Sequence, residues 1–197
     1  MKKVYIVLTH TKTILSRLIK EFTKCEFSHV SISLDIDLNK MYSFGRLNAY
    51  NPFFAGFVHE YINKGTFKRF YKTKTKVYSL NVTDEEYAKI EKTINQIKAE
   101  KEKYKFNIIG LVAAGVHKKI GNDHSFYCAE FVKYVLENAG IKTNLPEIVK
   151  PEHFESLEDI NEIYYGLLKK YRAPKDSLKD LIRENLLNYS NQKQGLI

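Results

Sequence analysis

The chain has 197 residues, of which 44% are hydrophobic and 28% are charged, with only 4 Pro and 9 Gly. This composition is typical of a folded globular protein and excludes long disordered linkers. The formal net charge of +9 favours anionic partners such as nucleic acid, a phospholipid surface or an acidic peptide, although a Lys-rich background composition gives the same charge without a function.

The two cysteines, Cys25 and Cys128, cannot form a disulfide framework, which fits a reducing compartment. The first apolar run, residues 4–8, is shorter than the roughly 7 residues of a signal-peptide core. The longest later run, residues 108–116, is far below the roughly 18 residues of a spanning helix. We therefore expect a cytoplasmic protein that does not span a membrane, with residues 1–190 as a single domain and residues 191–197 as a polar tail.

Strand patterns dominate the first part of the chain. Residues 3–9 are β-branched and aromatic, as in a buried strand, and residues 13–24 place apolar side chains at intervals of four, as in a helix. Residues 29–36 alternate strictly between polar and apolar side chains and predict the clearest strand. A polar turn at residues 37–40 then leads to residues 41–46, so a β-hairpin is predicted.

The middle of the chain is less regular until a helix begins. Residues 48–63 are irregular and aromatic, and residues 66–82 form a strand-like stretch that predicts a second hairpin. Thr83 and Glu86 have the spacing of a capping box, which predicts a helix that continues to about Lys103.

A buried segment and a second helix follow. Residues 107–118 are apolar all round, which indicates burial between other elements and a place in the wall of a pocket. A polar break at residues 122–125 precedes a helix that runs from Cys128 to Ala139 and stops at Gly140. Beyond it we predict a loop, a last strand and an amphipathic helix, at residues 146–151, 163–170 and 176–189 respectively.

Cys128 is the strongest candidate for a reactive group. It lies in the first turn of its predicted helix, where free amides and the helix dipole favour a thiolate, and its apolar stripe directs it toward the sheet. His29 begins a predicted strand, so a thiol and an imidazole stand on separate elements, as nucleophilic thiol catalysis requires. The alternative is a buried structural cysteine and a histidine with ordinary polar contacts.

Two short motifs carry a resemblance to a known family. Residues 28–34 (SHVSISL), followed about a hundred residues later by residues 126–132 (FYCAEFV), resemble the circularly permuted branch of the NlpC/p60-like, papain-like superfamily. In that branch the strand with the histidine precedes the helix with the cysteine, and its members include peptidoglycan-peptide amidases and relatives of lecithin:retinol acyltransferase. The resemblance covers residues 4–140 and implies an α+β fold, an antiparallel sheet or half-barrel packed against helices.

The same resemblance implies a catalytic set. Cys128 would be the nucleophile, His29 the base, and the amide of Cys128 part of an oxyanion hole. A third residue that orients the histidine falls by register at or near Ser43, and a serine is a poorer orienter than a carboxylate. Glu60 or a backbone carbonyl could replace Ser43, or the site has lost its activity.

Other candidate sites have weaker support in the sequence. Cys25 has no helix N-terminus to activate it and is interpreted as structural, while His124 is a rival base four residues before Cys128. The remaining histidines have no metal-ligand spacing, and they are His10, His59, His117 and His153. With no Gly-rich phosphate loop or paired-carboxylate signature, we expect no cofactor and no metal.

Residues 61–83 combine basic and aromatic side chains and contain no acid. Such a segment suits an anionic membrane surface or single-stranded nucleic acid, or it is simply a solvated hairpin. Since no nucleic-acid motif accompanies it, a nucleic-acid partner is not expected. The basic residues of this segment are Lys64, Lys68, Arg69, Lys72, Lys74 and Lys76, interleaved with Phe67, Phe70 and Tyr71.

The first functional hypothesis is a thiol hydrolase, an amidase or peptidase that cleaves an amide bond in a small peptide, cell-wall peptides included, through a Cys–His acyl-enzyme. One alternative is a lipid or acyl-group hydrolase or acyltransferase of the same fold, for which Ile108 and Val112 would suit an acyl pocket. The other is a catalytically inactive binding module that uses its basic hairpin to hold an anionic partner.

Overall fold

A six-stranded antiparallel sheet forms the centre of the protein, in a computed structural model that describes residues 1–11, 26–107 and 125–174. Its strand order is β4-β3-β2-β1-β5-β8. These strands are β1 (Lys2–His10), β2 (His29–Ser33), β3 (Met41–Asn48), β4 (Asn51–Glu60), β5 (Lys74–Val82) and β8 (Ile160–Leu167). A second, parallel pair consists of β6 (Lys105–Phe106) and β7 (Ser125–Phe126).

Three α-helices accompany the sheet within the described ranges. They are α1 (Gly65–Arg69), α2 (Asp84–Ala99) and α3 (Cys128–Asn138). Short 3₁₀ helices follow at Lys101–Lys103, Pro151–Ser156 and Leu168–Lys170. The predicted antiparallel sheet packed against helices is therefore confirmed at the level of a mixed α/β fold.

The hairpin of β2 and β3 is confirmed. The two strands pair antiparallel, with Ile32 opposite Tyr42 and Ser33 opposite Met41. The carboxylate of Asp35 closes the turn, because it accepts hydrogen bonds from the amides of Asn39 and Lys40 at 3.2 and 2.8 Å.

Two predictions for the middle of the chain are wrong. Residues 51–60, within the stretch described above as irregular, form β4, whose run of aromatic and small residues lacks the polar alternation that identifies a half-buried strand. Residues 66–82 are not one strand, because α1 precedes β5 and is too short for helical periodicity to be visible. Strand β5 pairs with β1 and β8 and makes no second hairpin with the segment before it.

The capping box before α2 is confirmed. The hydroxyl of Thr83 accepts from the amide of Glu86 at 3.1 Å, and the amide of Thr83 donates to the Glu86 carboxylate at 2.7 Å. The helix ends at Ala99, earlier than predicted, since a 3₁₀ turn replaces its last residues. The predicted last strand is also displaced, beginning at Ile160 and ending at Leu167.

Apolar side chains form a core on each face of the sheet. On one face Val30, Ile32 and Phe44 pack against α2 and α3, which supply residues such as Ile94 and Phe131 to the larger core.

A smaller core on the other face joins Tyr5, Val7, Met41, Val77 and Leu168. His29, Ser31 and Ser33 belong to this second face by strand alternation, which makes its surface near β2 polar.

Several predictions fall outside the described residues. They concern the helices at residues 13–24 and 176–189, most of the buried segment at residues 107–118, Cys25, His117, His124 and the tail at residues 191–197. Among the described helices, none is both long and apolar enough to cross a membrane.

Candidate active site

Cys128 is the first residue of α3, as predicted, and is almost fully buried, with 5% of its surface exposed. The start of this helix is fixed by Glu130, whose carboxylate accepts hydrogen bonds from the amide of Tyr127 at 3.0 Å and from the side chain of Asn107 at 3.4 Å. Asn107 also donates its amide to the carbonyl of Phe126 at 2.9 Å. The β6–β7 pair therefore positions the thiol at the end of the helix where unpaired amides concentrate.

His29 is the first residue of β2, and its Nε2 atom faces a carboxylate. The distances to Oε1 and Oε2 of Glu60 are 3.1 and 3.3 Å. Both side chains are largely shielded from solvent, with 18% of His29 and 9% of Glu60 exposed. In this environment a hydrogen-bonded ion pair is stronger than it would be at the surface.

The register of the sheet explains why these two residues meet. Glu60 is paired with Met41, which is in turn paired with Ser33. Since directly paired residues project from the same face, Glu60 lies on the face of β2 that carries Ser31 and His29.

Ser31 connects the carboxylate and the imidazole. Its hydroxyl donates to Oε2 of Glu60 at 2.5 Å and lies 3.4 Å from Nε2 of His29. Because Ser31 is itself completely buried, this bond holds the carboxylate in one position beside the ring.

The Cys128 side chain completes the set, because it lies close enough to His29 to interact with the ring electrostatically. Burial alone lowers the pKa of His29, but the charge of Glu60, the neighbouring Cys128 side chain and the hydrogen bond with Glu60 outweigh it and raise the pKa to about 10. At neutral pH the ring is therefore an imidazolium, which lies between a carboxylate and a thiol.

Gly45 provides room for this ring. Continuing the pairing of β2 with β3 brings Gly45 beside His29, and a Cβ atom there would lie 3.2 Å from Cε1 of the imidazole. A side chain at this position would press on the ring, so the missing Cβ contributes to the geometry of the site.

Ser43, predicted to orient the histidine, has other partners. Its buried hydroxyl donates to the carbonyl of Val30 at 2.9 Å and lies 3.3 Å from the carbonyl of Phe44. The residue that contacts His29 is Glu60, which the sequence offered only as an alternative. Locating it requires the pairing of β3 with β4, and the sequence pattern did not reveal β4.

The other described histidines serve local structure. His10 contacts the hydroxyl of Ser28 at 3.2 Å, and His59 contacts the carbonyl of Asn39 at 2.7 Å. His153 accepts a hydrogen bond from the amide of Lys150 at 3.1 Å, and burial lowers its pKa. In the described part of the chain, no three His, Cys, Asp or Glu side chains are grouped so that they could hold a metal ion.

A cavity of about 510 Å³ lies beside the turn between β2 and β3. Its wall includes Asp37 in the β2–β3 turn, Tyr61 after β4, and Tyr171 and Arg172 after β8. None of the residues around Cys128 and His29 belongs to this wall.

Comparison with known proteins supports the fold but not an activity. No family model matches the chain, and no curated protein matches its sequence. Among solved structures, metalloprotein yiiX from Escherichia coli O157:H7, a DUF1105 protein, is similar with a TM-score of 0.50 and 15% identity over 84% of this chain and 98% of the other. At this identity the likeness concerns the fold alone.

Proposed function

We propose that the protein is a cysteine hydrolase of the amidase or peptidase type, with Cys128 as nucleophile, His29 as base and Glu60 as the residue that orients His29. The observation that carries the proposal is the pair of contacts made by one imidazole, to a carboxylate and to the thiol. Glu60 takes the place for which Ser43 was the sequence candidate, and it is the stronger orienter because it is charged.

The chemistry follows from the two nitrogens of the ring. With Nε2 donating to Glu60, Nδ1 carries the second proton of the imidazolium, and in the reactive form this is the proton that has left the Cys128 thiol. The thiolate attacks the carbonyl carbon of an amide, and the C–N bond breaks as His29 returns the proton to the departing amine. A water molecule, deprotonated by His29, then attacks the thioester and releases the acid and the free thiol.

The helix start is suited to the anionic intermediate. Cys128 is the first residue of α3 and so belongs to the turn whose amides the helix itself does not use, and such amides stabilise a developing oxyanion.

The proposal includes a circularly permuted papain-like fold of the NlpC/p60 type. Its support is the order of the elements, since the strand of His29 precedes the helix of Cys128 in the chain, together with the electrostatic interaction between the two side chains. The carboxylate departs from that family pattern, because it comes from the second strand after the histidine strand and not from the first.

The description of yiiX as a metalloprotein raises the question of a metal in this chain. The described residues do not fit one, because His29, Glu60 and Cys128 satisfy one another and no group of three suitable ligands is present among the described residues. No step of the proposed reaction is assigned to a metal.

The substrate class proposed first is a small peptide with an accessible amide bond. A lipid or acyl-group substrate requires the same three residues and the same thioester, and the exposed side chains of Leu47, Tyr50 and Phe54 on the β3–β4 hairpin favour it as the second candidate.

The test measures how fast Cys128 reacts, with Cys25 as the control. Iodoacetamide at neutral pH, with peptide mapping by mass spectrometry, should label Cys128 faster than a free thiol, and His29→Ala should remove this advantage. A p-nitrophenyl ester used as a generic acyl donor should give a burst of p-nitrophenol and a covalent acyl adduct on Cys128. Cys25→Ala is the matched control and should retain both properties.

The opposite results would end the proposal. These are labelling of Cys128 no faster than of a free thiol, or a burst that persists in Cys128→Ala.

A further inference from the structure

The β3–β4 hairpin continues past the candidate site and ends in an exposed apolar tip. Leu47, Tyr50 and Phe54 have 46%, 80% and 58% of their surfaces exposed. Single exposed apolar residues are ordinary, but three on one hairpin form a patch of the kind that marks an interaction surface.

Guanidinium groups lie directly against this tip. The guanidinium of Arg69 is 3.8 Å from the ring centroid of Tyr50. Arg46 and Arg69 both approach the ring of Phe70, at 5.7 and 5.4 Å from its centroid. Two like charges are thus held close together beside exposed apolar groups.

Lysines lie next to Arg69 in the chain. Lys68 precedes it directly and Lys72 follows three residues later, with its Nζ atom 5.8 Å from the ring centroid of Tyr71, which is itself 52% exposed. The two stretches that build this surface, residues 46–54 and 65–73, contain no Asp or Glu. The tip is therefore an apolar centre with a cationic border of one sign.

We propose that this hairpin-tip surface, formed by Leu47, Tyr50, Phe54, Lys68, Arg69 and Lys72, binds the surface of an anionic phospholipid bilayer. Leucine and phenylalanine enter the boundary between headgroups and acyl chains, and tyrosine prefers that same region. Arginine and lysine bind lipid phosphates while their aliphatic stems remain along the apolar tip.

The charge pattern and the shape favour a bilayer over single-stranded nucleic acid. A nucleic-acid groove tracks the phosphates with cations and stacks bases on aromatic rings along its length. Here the most exposed apolar groups lie at the end of a hairpin, and they include an aliphatic side chain with no face for a base to stack on.

The position of the tip connects it to the candidate site. Gly45 lies beside His29 and is five residues from Tyr50 along the chain. At about 3.3 Å per strand residue the ring is held within about 17 Å of the bilayer surface. If the proposed hydrolase activity holds, on which this step rests, the substrate is an acyl or amide group attached to the membrane.

The test is co-sedimentation of the full chain with lipid vesicles. Binding to phosphatidylcholine vesicles that contain phosphatidylglycerol is expected, with much weaker binding to phosphatidylcholine alone and a decrease at high salt. The variant Lys68→Gln/Arg69→Gln/Lys72→Gln should lose at least about tenfold in partitioning, because it removes three cations that attract an anionic lipid surface. Leu47→Ser/Tyr50→Ser/Phe54→Ser should also lose binding to anionic vesicles.

Matched controls separate this surface from net charge and from exposed aromatic area. Lys92→Gln/Lys98→Gln/Lys101→Gln removes three exposed cations at α2 and the turn after it, and should bind like wild type. Tyr165→Ser removes another exposed tyrosine, 52% exposed on β8, and should also bind like wild type. Circular dichroism spectra equal to that of wild type would show that the variants are folded.

Two outcomes would overturn the proposal. One is equal binding of wild type and the Lys68/Arg69/Lys72 variant to anionic vesicles. The other is binding of a single-stranded oligonucleotide through the same residues with no vesicle binding, which would assign the surface to nucleic acid.

Binding and catalysis fail independently in this design. Cys128→Ala should bind vesicles like wild type, so loss of the hydrolase proposal leaves the membrane proposal standing. If Cys128 is reactive but the protein does not bind vesicles, the membrane proposal is overturned and the hydrolase proposal stands.

Discussion

His29 has an acid on one side and a thiol on the other, and both favour its protonated form. The carboxylate is held by the bond from Ser31, while Gly45 leaves space for the ring. Ser31 and Cys128 are buried beside the ring. At the scale of single residues, the site is organised around the orientation and charge of one ring.

Replacing Glu60 tests this arrangement. Glu60→Gln removes the charge that raises the pKa of His29, so less imidazolium is present at neutral pH to stabilise a developing charge on the sulfur of Cys128. Alkylation of Cys128 by iodoacetamide at pH 7 should slow by about tenfold to a hundredfold, a part of the about 10²–10⁴ that a positioned base contributes. The difference should narrow above about pH 8.5, where a thiol ionises without help.

Glu155→Gln is the matched control for this experiment, because Glu155 pairs with Lys76 on β5 and not with His29. An unchanged alkylation rate in Glu60→Gln would contradict the orienting role of Glu60.

The protonated ring should also stabilise the fold in a pH-dependent way. The pKa of His29 is about 10 in the folded protein, against 6.5 for an ordinary histidine. Because the folded state binds the proton more tightly, this stabilisation is complete below pH 6.5 and is lost as the pH rises to about 10.

Urea unfolding of wild type and Glu60→Gln over this pH range measures the effect. The free energy of unfolding of wild type should exceed that of the variant most at low pH, and the difference should shrink toward pH 10. A difference that stays constant between pH 6.5 and 10 would argue against the ion pair.

At the scale of elements, α2 and α3 begin in different ways. Thr83 caps α2 by a local box that any sequence with this spacing can form. The start of α3 depends on Glu130, which reaches Asn107 on a different segment. The cap of α2 therefore involves only neighbouring residues, whereas the cap of α3 also connects that helix to the segment of Asn107.

Removing the two caps should therefore have different consequences. Thr83→Ala and Glu130→Ala should each lower the free energy of unfolding by about 1 kcal/mol. Only Glu130→Ala should change the rate of Cys128 alkylation, since only that cap positions the thiol. Equal alkylation rates in both variants would show that α3 keeps its start without Glu130.

Local patterns predicted the elements whose signals are local. The alternation in β2, the capping box of α2 and the apolar stripe of α3 with its stop at Gly140 all correspond to observed elements. Cys128 and His29 were found in this way, because each stands at the end of such an element.

The sequence did not predict elements that lack a local pattern. The part of the candidate site that depends on them was therefore not predicted either. Strand β4 has no polar alternation, and its assignment depends on pairing with β3. Glu60 reaches His29 only because β4 pairs with β3. The sequence prediction considered the strand directly after that of His29, and that strand carries Ser43. The bond from Ser31 to Glu60 depends on the same strand.

At the scale of the whole molecule, two cores share one sheet. Phe131 of α3 joins the larger core to the strands, with ring centroids 5.4 Å from Phe44 and 5.8 Å from Phe57. These contacts hold the helix of Cys128 against β3 and β4, the strands that also carry Gly45 and Glu60.

Truncating Phe131 should affect stability and chemistry together. Phe131→Ala is expected to lower the free energy of unfolding by about 3–5 kcal/mol. It should also slow alkylation of Cys128, because α3 loses the contacts that hold it against β3 and β4. Leu168→Ala, a deletion in the smaller core, should destabilise by about 2–5 kcal/mol without slowing alkylation in the fraction that remains folded. Slower alkylation in both variants would mean that the reactivity of Cys128 depends on the stability of the whole fold and not on the position of α3.

The place of β1 in the sheet has a consequence for how the chain folds. Lys2 pairs with Val82 and His10 with Lys74, so β2, β3, β4 and α1 all belong to the segment that separates two neighbouring strands. Closing so long a loop costs entropy before the contacts are gained, which places the protein among slow folders dominated by non-local pairing. Until β5 arrives, the apolar strand β1 presents an open edge, and this is the interval in which the chain is most exposed to aggregation.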